Sequence, residues 1–342
     1  MRIEHDAVTV RTRVPFVISR YGASEFRTVR IRVTDRDGAT GWGEAAPNRF
    51  YGESPETVAA ALERFAPVLE GADAWSLEAI EASLHGALRF NGSAKSGVSA
   101  ALHDLAAKRL GVPLYRLWGL DPARAPQSSY TIAIAADEAT LRERVNDAAA
   151  YPILKIKLGT DRDERIVRVV REAAPDRTLR VDANAAWTAK RALRMIPLLQ
   201  ELGVEFVEQP LPPQDLEGLR FVRERSSLPI IADESCLVAG DVARLAGVVD
   251  GVNIKLSKCG GLREALRMIA VARAHGMMVM CGCMVETSLG IAPAAHFASL
   301  LDAADLDGAE LLADDPHEGV SIAGGAIRLS GEPGLGVRMK ER

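Results

Sequence analysis

Charged residues recur at regular intervals in the middle of the chain, each at the end of a short apolar segment. Successive members of this series are 22 to 26 residues apart, and they are Lys157, Asp182, Glu208, Asp233 and Lys255. One strand, one helix and two short loops fill an interval of this length. Such a regular alternation predicts a parallel sheet with helices on its outside, most simply a β/α barrel.

Three of the strand ends are acidic, namely Asp182, Glu208 and Asp233. The carboxyl ends of barrel strands surround one mouth, where active sites lie. Three converging carboxylates repel one another unless a cation or another partner neutralises them. Three oxygen ligands with room left for water or substrate suit Mg²⁺. We therefore predict one Mg²⁺ per subunit, with purely structural acids as the alternative.

The neighbouring strand ends carry lysines. Lys155 and Lys157 are two residues apart on one strand, so their side chains face the same side. Burial, mutual repulsion and a nearby divalent ion should lower their pKa and make a base usable near neutral pH. Lys255 lies four strands around the barrel from Lys157 and would face the metal from the opposite side. Simple ion pairing with the acids is the alternative, and Lys258 is predicted to be solvated in a loop.

The chain is longer than a bare barrel. It has 342 residues, whereas a β/α barrel typically has about 250. Residues 1–118 lack the barrel period and show alternating strands, a hairpin turn at 35–38 and several helical segments. We predict an α+β capping domain at 1–118 with a C-terminal return at 319–342, and the barrel at 119–318. The eighth strand has the weakest signal and is predicted at 309–312.

Composition restricts the partners. The net charge of −4 argues against nucleic acid as the main partner. No apolar run approaches the roughly 20 residues of a membrane span, and the N-terminus has no signal-peptide core. We expect a cytoplasmic protein that acts on a small molecule, and assembly into a homo-oligomer is left open.

The complete series of strand-end motifs resembles the enolase superfamily, and within it the muconate-lactonizing-enzyme subgroup. The motifs are Lys155-x-Lys157, Asp182-Ala-Asn184, Glu208-Gln-Pro210, Asp233-Glu-Ser235, and Asn253-Ile-Lys255 followed by Gly260-Gly261. The resemblance covers nearly the whole chain. It implies a (β/α)7β TIM-type barrel with an α+β capping domain, and Mg²⁺ on the three acids.

The resemblance also implies a reaction, removal of a proton α to a carboxylate. Mg²⁺ stabilises the enediolate as charge develops. Lys157 would take the proton from one face, Lys255 would return one to the other, and Lys155 would assist electrostatically. Two bases on opposite faces give inversion at carbon, and hence epimerisation or racemisation.

A further motif resembles the dipeptide epimerases of this family. Asp305 and Asp307 form a D-x-D element, which in that group holds the free ammonium of a dipeptide. Alternate residues of an extended segment point the same way and can bind one cation together. A solvated acidic loop is the alternative. Thr131 matches a substrate-lining position of the group.

One position departs from the family pattern. Members specific for Ala-Glu carry an arginine in the loop after the first strand, where it meets the side-chain carboxylate of the substrate. The corresponding residue here is Tyr21, and Arg20 precedes it. Either Arg20 takes the same role after a small shift, or the preferred side chain is not acidic.

Three hypotheses follow. The first is an Mg²⁺-dependent epimerase of L,L-dipeptides of the L-Ala-D/L-Xaa type. The second is another member of the superfamily, an N-acyl amino acid racemase, an o-succinylbenzoate synthase or a cycloisomerase, whose substrates need no ammonium site. The third is an inactive metal-dependent binder of small molecules. The sequence leaves open the side chains preferred, the physiological direction and the oligomeric state.

Overall fold

The N-terminal part of the chain is a three-stranded antiparallel sheet. A computed structural model describes residues 1–341, and in it β1 (Arg2–Ile18) pairs with β2 (Tyr21–Thr34), which pairs with β3 (Thr40–Ala45). The 35–38 turn is the predicted hairpin: Gly38 has φ +86° and the Asp35 amide donates to the Ala39 carbonyl. Both β1 and β2 are longer than the segments of alternating apolar and polar residues from which they were predicted.

Helices cover one face of this sheet. They are α1 (Pro55–Glu70), α2 (Leu77–Ala87) and α3 (Gly92–Arg109), and the single turn α4 (Leu114–Leu117) follows them with Leu114 in the core of the barrel. The apolar face of the sheet, including Ile31 and Val33, packs with Phe65 of α1 and Leu102 of α3 in one buried cluster. Because its sheet and helices share this cluster, the cap has a hydrophobic core of its own.

The rest of the chain forms the predicted parallel barrel. Its strands, in neighbouring order, are β4 (Tyr130–Ile132), β5 (Ile153–Lys157), β6 (Thr178–Asp182), β7 (Val204–Glu208), β8 (Ile230–Ala232), β9 (Gly251–Ile254), β10 (Met278–Gly282) and β11 (Ala303–Asp305). The ring is closed by a parallel bridge between Ser128 and Ala304. The carboxyl ends of all eight strands therefore meet at one mouth.

Helices alternate with these strands on the outside. They are α5 (Glu138–Asp147), α6 (Asp163–Ala173), α7 (Ala189–Glu201), α8 (Leu216–Arg223), α9 (Ala239–Leu245), α10 (Leu256–Cys259), α11 (Leu262–Ala274) and α12 (Ser288–Phe297). Several begin at a side-chain cap that accepts a backbone amide, such as Asp137 for α5 and Thr188 for α7. Within residues 1–341, no helix combines the length and hydrophobicity needed to cross a bilayer.

The predicted position of the eighth strand was wrong. The strand is β11, residues 303–305, which pairs in parallel with β10. The apolar stretch at 309–312 instead reaches the cap, where Leu312 bridges Thr12 and packs with Val10 and Val285. A strand of three residues with two alanines carries little hydrophobic signal, so the more apolar segment after it was mistaken for it.

The C-terminal segment returns across the cap–barrel junction. It forms two short antiparallel pairs, β12 (His317–Glu318) with β15 (Arg338–Met339) and β13 (Val320–Ser321) with β14 (Arg328–Leu329). The Leu335 amide donates to Asp104 of α3, and the Leu114 amide donates to the Gly334 carbonyl. The proposed domain boundaries at residues 118 and 318 stay a prediction.

Two glycines of β3 allow α3 to approach the sheet closely. A Cβ on Gly41 would lie 1.9 Å from the Ala101 carbonyl oxygen, and one on Gly43 would lie 2.1 Å from that of Gly97. Both obstacles are helix backbone, which cannot move without displacing α3. We predict that Gly41→Val lowers the free energy of unfolding by about 2 kcal/mol or more, measured by urea denaturation. Gly86→Ala, on the exposed face of α2 with nothing near its Cβ, should have no such cost, and equal midpoints for the two variants would contradict this packing account.

Candidate active site

Three buried carboxylates converge at the mouth of the barrel. Asp182 and Glu208 are the last residues of β6 and β7, and Asp233 directly follows β8. One oxygen from each lies within 4.8 Å of the others, and all three residues are buried. Three hard oxygen donors at this spacing fit a divalent cation such as Mg²⁺.

Hydrogen bonds with residues that follow the strands, and with Asn253 of β9, hold these acids in position. The Asn184 amide donates to Asp182 Oδ1 over 2.8 Å, and Asn253 Nδ2 donates to Glu208 Oε1 over 2.8 Å. Gln209 accepts the Asp233 amide through its side-chain oxygen, 2.9 Å away. Asn184 and Gln209 both have positive φ, because each strand turns sharply where its acid enters the mouth.

The electrostatics of the acids follow from their neighbours. Burial and the adjacent Asp182 raise the pKa of Glu208 to about 7. Burial raises the pKa of Asp182 too, but Lys157 and Lys155 outweigh it and lower that pKa to about 2. Positive charge near these three carboxylates, which lie within 4.8 Å of one another, stabilises their ionised forms, and a bound divalent cation would do the same.

Lysines flank the acids on opposite sides. Lys157 Nζ lies 2.7 Å from Asp182 Oδ2, and Lys255 Nζ lies 2.9 Å from Asp233 Oδ2. Lys157 ends the second barrel strand and Lys255 follows the sixth, so half of the ring separates them. Lys155 is fully buried, with Nζ 2.7 Å from both Glu208 Oε2 and Asp305 Oδ2.

The prediction of lowered pKa values was made for Lys155 and Lys157, and it was wrong for Lys155. Burial lowers the pKa of Lys155, but Asp305, Glu208 and Asp182 raise it well above its usual range. Burial likewise lowers the pKa of Lys255, but the Asp233, Glu208 and Glu234 carboxylates together raise it well above its usual range. For both lysines the effect of the acids is larger than that of burial and of repulsion between lysines, so the ion pairing named as the alternative is present.

Lys258 was also mistaken for a solvated residue. It lies on α10, and its buried ammonium donates to Asp233 Oδ1 and to the carbonyls of Asp233 and Asn253. Asp233 therefore has a lysine on each carboxylate oxygen. The spacing of Lys258 from Lys255 gives no sign of this, because α10 is a single turn whose direction is set by tertiary packing.

Asp305 and Asp307 are buried and do not lie in a solvated loop. Asp305 is the last residue of β11, where it accepts Ser129 Oγ and pairs with Lys155. Asp307 accepts the Thr131 amide at 2.6 Å. Burial and the nearby Asp305 raise the pKa of Asp307 to about 7. Within the described chain, Asp307 has no cationic partner, whereas Asp305 is paired with Lys155.

A cavity of about 360 Å³ joins these groups to the cap. Both opposed lysines, Asp305, Asp307 and Thr131 line it, as do residues of the β1–β2 turn and of the loop after β3. Arg20 donates to the Asn184 carbonyl and to Glu234 Oε1, each over 2.7 Å. Tyr21 carries the Arg49 guanidinium over its ring at 4.0 Å. All predicted site residues thus border one space or the carboxylates beneath it.

A buried glutamate of the cap holds one wall of this cavity. Glu44 of β3 accepts the Thr287 amide and hydroxyl, and the same hydroxyl meets His317 Nδ1 at 3.0 Å. Thr287 ends the loop that carries Met284 and Val285 into the cavity wall. Sequence reasoning missed this contact because it joins residues 243 positions apart.

The fold and the site together define a capped β/α-barrel protein with a carboxylate cation centre at the barrel mouth. A family model described as Mandelate racemase / muconate lactonizing enzyme, N-terminal domain, matches residues 2–119. A second, described as Enolase C-terminal domain-like, matches residues 136–342. The chain belongs to the mandelate racemase and muconate lactonizing enzyme family, and the resemblance read from its motifs is confirmed.

Named relatives are similar over almost the whole chain. An L-Ala-D/L-Glu epimerase of Bacteroides thetaiotaomicron is 38% identical over 329 residues, which cover 96% of this chain and 85% of the relative. A hydrophobic dipeptide epimerase of Roseobacter litoralis is 39% identical, with 98% of each chain covered. The solved structure of a dipeptide epimerase from Enterococcus faecalis, complexed with Mg and the dipeptide L-Leu-L-Tyr, has a TM-score of 0.93 at 32% identity and covers 98% of each chain.

The Glu44 contact predicts a pH dependence of stability. Burial raises the pKa of Glu44 to about 8, so between about pH 4.5 and 8 the folded protein binds more protons than the unfolded chain and loses stability as pH rises. Glu44→Gln should remove this loss, up to about 1.4 kcal/mol per pH unit. Urea unfolding of the wild-type protein and of Glu44→Gln at several pH values measures this loss. The difference between their free energies of unfolding should change across this pH range and become constant below it. Parallel curves would rule out the proposed titration.

Proposed function

We propose that this protein is an Mg²⁺-dependent dipeptide epimerase that inverts the α-carbon of the C-terminal residue. The observation that carries the proposal is the placement of Lys157 and Lys255 on opposite sides of the carboxylate centre. A carbon held between them has a base on one face and an acid on the other. The similarity to named dipeptide epimerases over nearly the full length supports the same reaction class.

Asp182, Glu208 and Asp233 would hold the ion. Mg²⁺ supplies positive charge beside the substrate carboxylate and so stabilises the charge that develops when the α-proton leaves. The E. faecalis relative was solved with Mg and a dipeptide, which supports this assignment. The rest of the reaction belongs to side chains of the protein.

The two lysines would transfer the proton. The neutral amine of one removes the α-proton from its face, and the ammonium of the other delivers a proton to the opposite face. The roles exchange in the reverse direction. Lys155, enclosed by Glu208 and Asp305, cannot reach the cavity and is placed to balance charge beneath the substrate carboxylate.

Asp307 would hold the substrate ammonium. It is buried in the cavity wall and has no cationic partner among residues 1–341, and the Thr131 amide orients its carboxylate. Asp305 adds negative charge nearby, although Lys155 already occupies one of its oxygens. A buried carboxylate that lacks a cation favours a substrate with a free amine over an N-acyl amino acid or a cycloisomerase substrate. The presence of both lysines disfavours an inactive binder.

The two-face mechanism predicts a distinctive pattern of isotope exchange. With Mg²⁺ in D₂O, we expect the enzyme to exchange the α-proton of L-Ala-L-Xaa dipeptides and to interconvert the L,L and L,D forms. Lys157→Met and Lys255→Met should each reduce epimerisation by about 100-fold or more. Each variant should still exchange one diastereomer, and the two variants should differ in which one, because each lysine faces only one side.

Proton NMR and chiral chromatography measure both quantities. N-acetyl-L-Ala-L-Xaa, which lacks the ammonium, is the matched control and should react poorly. Absence of deuterium from every dipeptide, or unchanged exchange in the double lysine variant, would refute the proposed function. Faster turnover of the acetylated compound would favour the N-acyl amino acid racemase hypothesis.

The metal assignment predicts a ligand-dependent stability. A cation that binds only the folded state raises the unfolding midpoint, so Mg²⁺ should stabilise the protein and Glu208→Gln should abolish the effect. The control is Glu205→Gln on the same strand, whose half-exposed side chain pairs with Arg180. Calorimetric melting with and without Mg²⁺ measures the shift. A full Mg²⁺ response in Glu208→Gln would contradict the assignment.

A further inference from the structure

The position of the reacting carbon limits where its side chain can go. The proposed function places the carboxylate over the three acids, the two proton-transfer directions toward the lysines of the second and sixth strands, and the amino end toward Asp307 after the eighth. The remaining direction leads out of the barrel mouth, toward the part of the cavity that the cap closes. The side chain of the C-terminal residue must therefore meet residues of the cap and of the loops beneath it.

This part of the cavity is mainly apolar and aromatic. The β1–β2 turn contributes Ile18 and Tyr21, and the loop after β3 contributes Phe50 and Tyr51, whose rings meet edge to face at 5.1 Å. Met284 completes the surface from the barrel side. Aromatic side chains give a substrate ring a large contact area.

Arg20 reaches into this space from the cap, and the protein itself neutralises its charge. Its guanidinium donates to Glu234 Oε1 and to the Asn184 carbonyl over 2.7 Å each and lies over the Phe50 ring at 4.2 Å. Glu234 is buried, and its second oxygen accepts no hydrogen bond. An acidic substrate side chain would thus find an arginine whose charge is already balanced, next to an unpaired acceptor.

The lining of the cavity also contains charged residues other than the lysines and aspartates at the strand ends, and those on the cap side are exposed or already bonded, as Glu53 is to the Ser93 hydroxyl. Arg49 is exposed and stacks on Tyr21, and Arg27 pairs with Glu56 in solvent. Exposed charges contribute little to the binding of an ion because water screens them. The free-energy cost of moving a charged substrate side chain from water into the apolar part of the cavity would therefore not be offset.

We infer that the C-terminal residue of the substrate has an uncharged apolar or aromatic side chain, and that the Arg20–Glu234 pair determines this preference by closing the side-chain pocket as a neutral unit. This specificity rests on the proposed epimerase function. It assigns Arg20 a role different from that of an acid-binding arginine, because the carboxylate that it binds belongs to the protein.

The test compares dipeptides that differ only in the C-terminal residue. L-Ala-L-Phe, L-Ala-L-Leu, L-Ala-L-Glu and L-Ala-L-Lys are incubated with the full chain and Mg²⁺ in D₂O, and kcat/KM is taken from α-proton exchange. The Phe and Leu substrates should exceed the Glu and Lys substrates by at least about tenfold. A preference for Glu or Lys overturns the inference and leaves the proposed function standing, whereas no exchange with any dipeptide overturns both.

Charge variants test the role of the pair. Glu234→Gln leaves the Arg20 charge unbalanced and should raise the ratio of kcat/KM for L-Ala-L-Glu to that for L-Ala-L-Phe by at least about tenfold. The control is the double variant Arg20→Gln with Glu234→Gln, which is again neutral and should keep the wild-type order of substrates. An unchanged ratio in the single variant would show that Arg20 does not act as part of a neutral pair. The same conclusion would follow if the wild-type protein preferred L-Ala-L-Glu and the double variant lost that preference.

A binding measurement separates specificity from catalysis. In the variant Lys157→Met with Lys255→Met, calorimetric dissociation constants for the four dipeptides in the presence of Mg²⁺ should follow the same order. Tighter binding of L-Ala-L-Glu than of L-Ala-L-Phe would overturn the inference without reference to turnover.

Discussion

The structure of the barrel mouth depends on charge compensation between buried acids and buried lysines. Asp182, Glu208 and Asp233 stand within 4.8 Å of one another, an arrangement that self-repulsion would prohibit in isolation. Lysines on the neighbouring strands and on α10 offset that repulsion. A centre built in this way is prepared for a divalent ion, because the oxygens are already positioned and only their charge balance changes.

The cap completes the site by contacts that reach over the barrel mouth. Arg20 binds the loop after the fifth barrel strand through Glu234, and Glu44 binds the loop after the seventh through Thr287. In the proposed mechanism the barrel would supply the groups that perform proton transfer, and the cap would supply the surface that meets the variable side chain. Reaction and specificity would then reside on different parts of the chain, so that changes in the cap could alter the substrate while the strand ends stay as they are.

The sequence predicted most of what depends on local periodicity. The strand-end acids and lysines were found because each follows an apolar segment at a fixed interval. The eighth strand and Lys258 were not found, since a three-residue strand and a single helical turn carry almost no pattern and acquire their positions from long-range packing. The pKa of Lys155 could not be derived either, because it depends on Asp305, 150 residues away in sequence.

The two acids of the D-x-D element illustrate the same point. In sequence they are equivalent, and an extended segment would present both to one ligand. In the fold, Asp305 ends β11 against Lys155 and Ser129, whereas Asp307 follows it and meets only the Thr131 amide and hydroxyl. The Asp305 carboxylate therefore takes part in the charge balance of the barrel, whereas the Asp307 carboxylate is available to a ligand. The proposed substrate amine would therefore be held mainly by Asp307, and Asp305 would link it through Lys155 to the carboxylate centre.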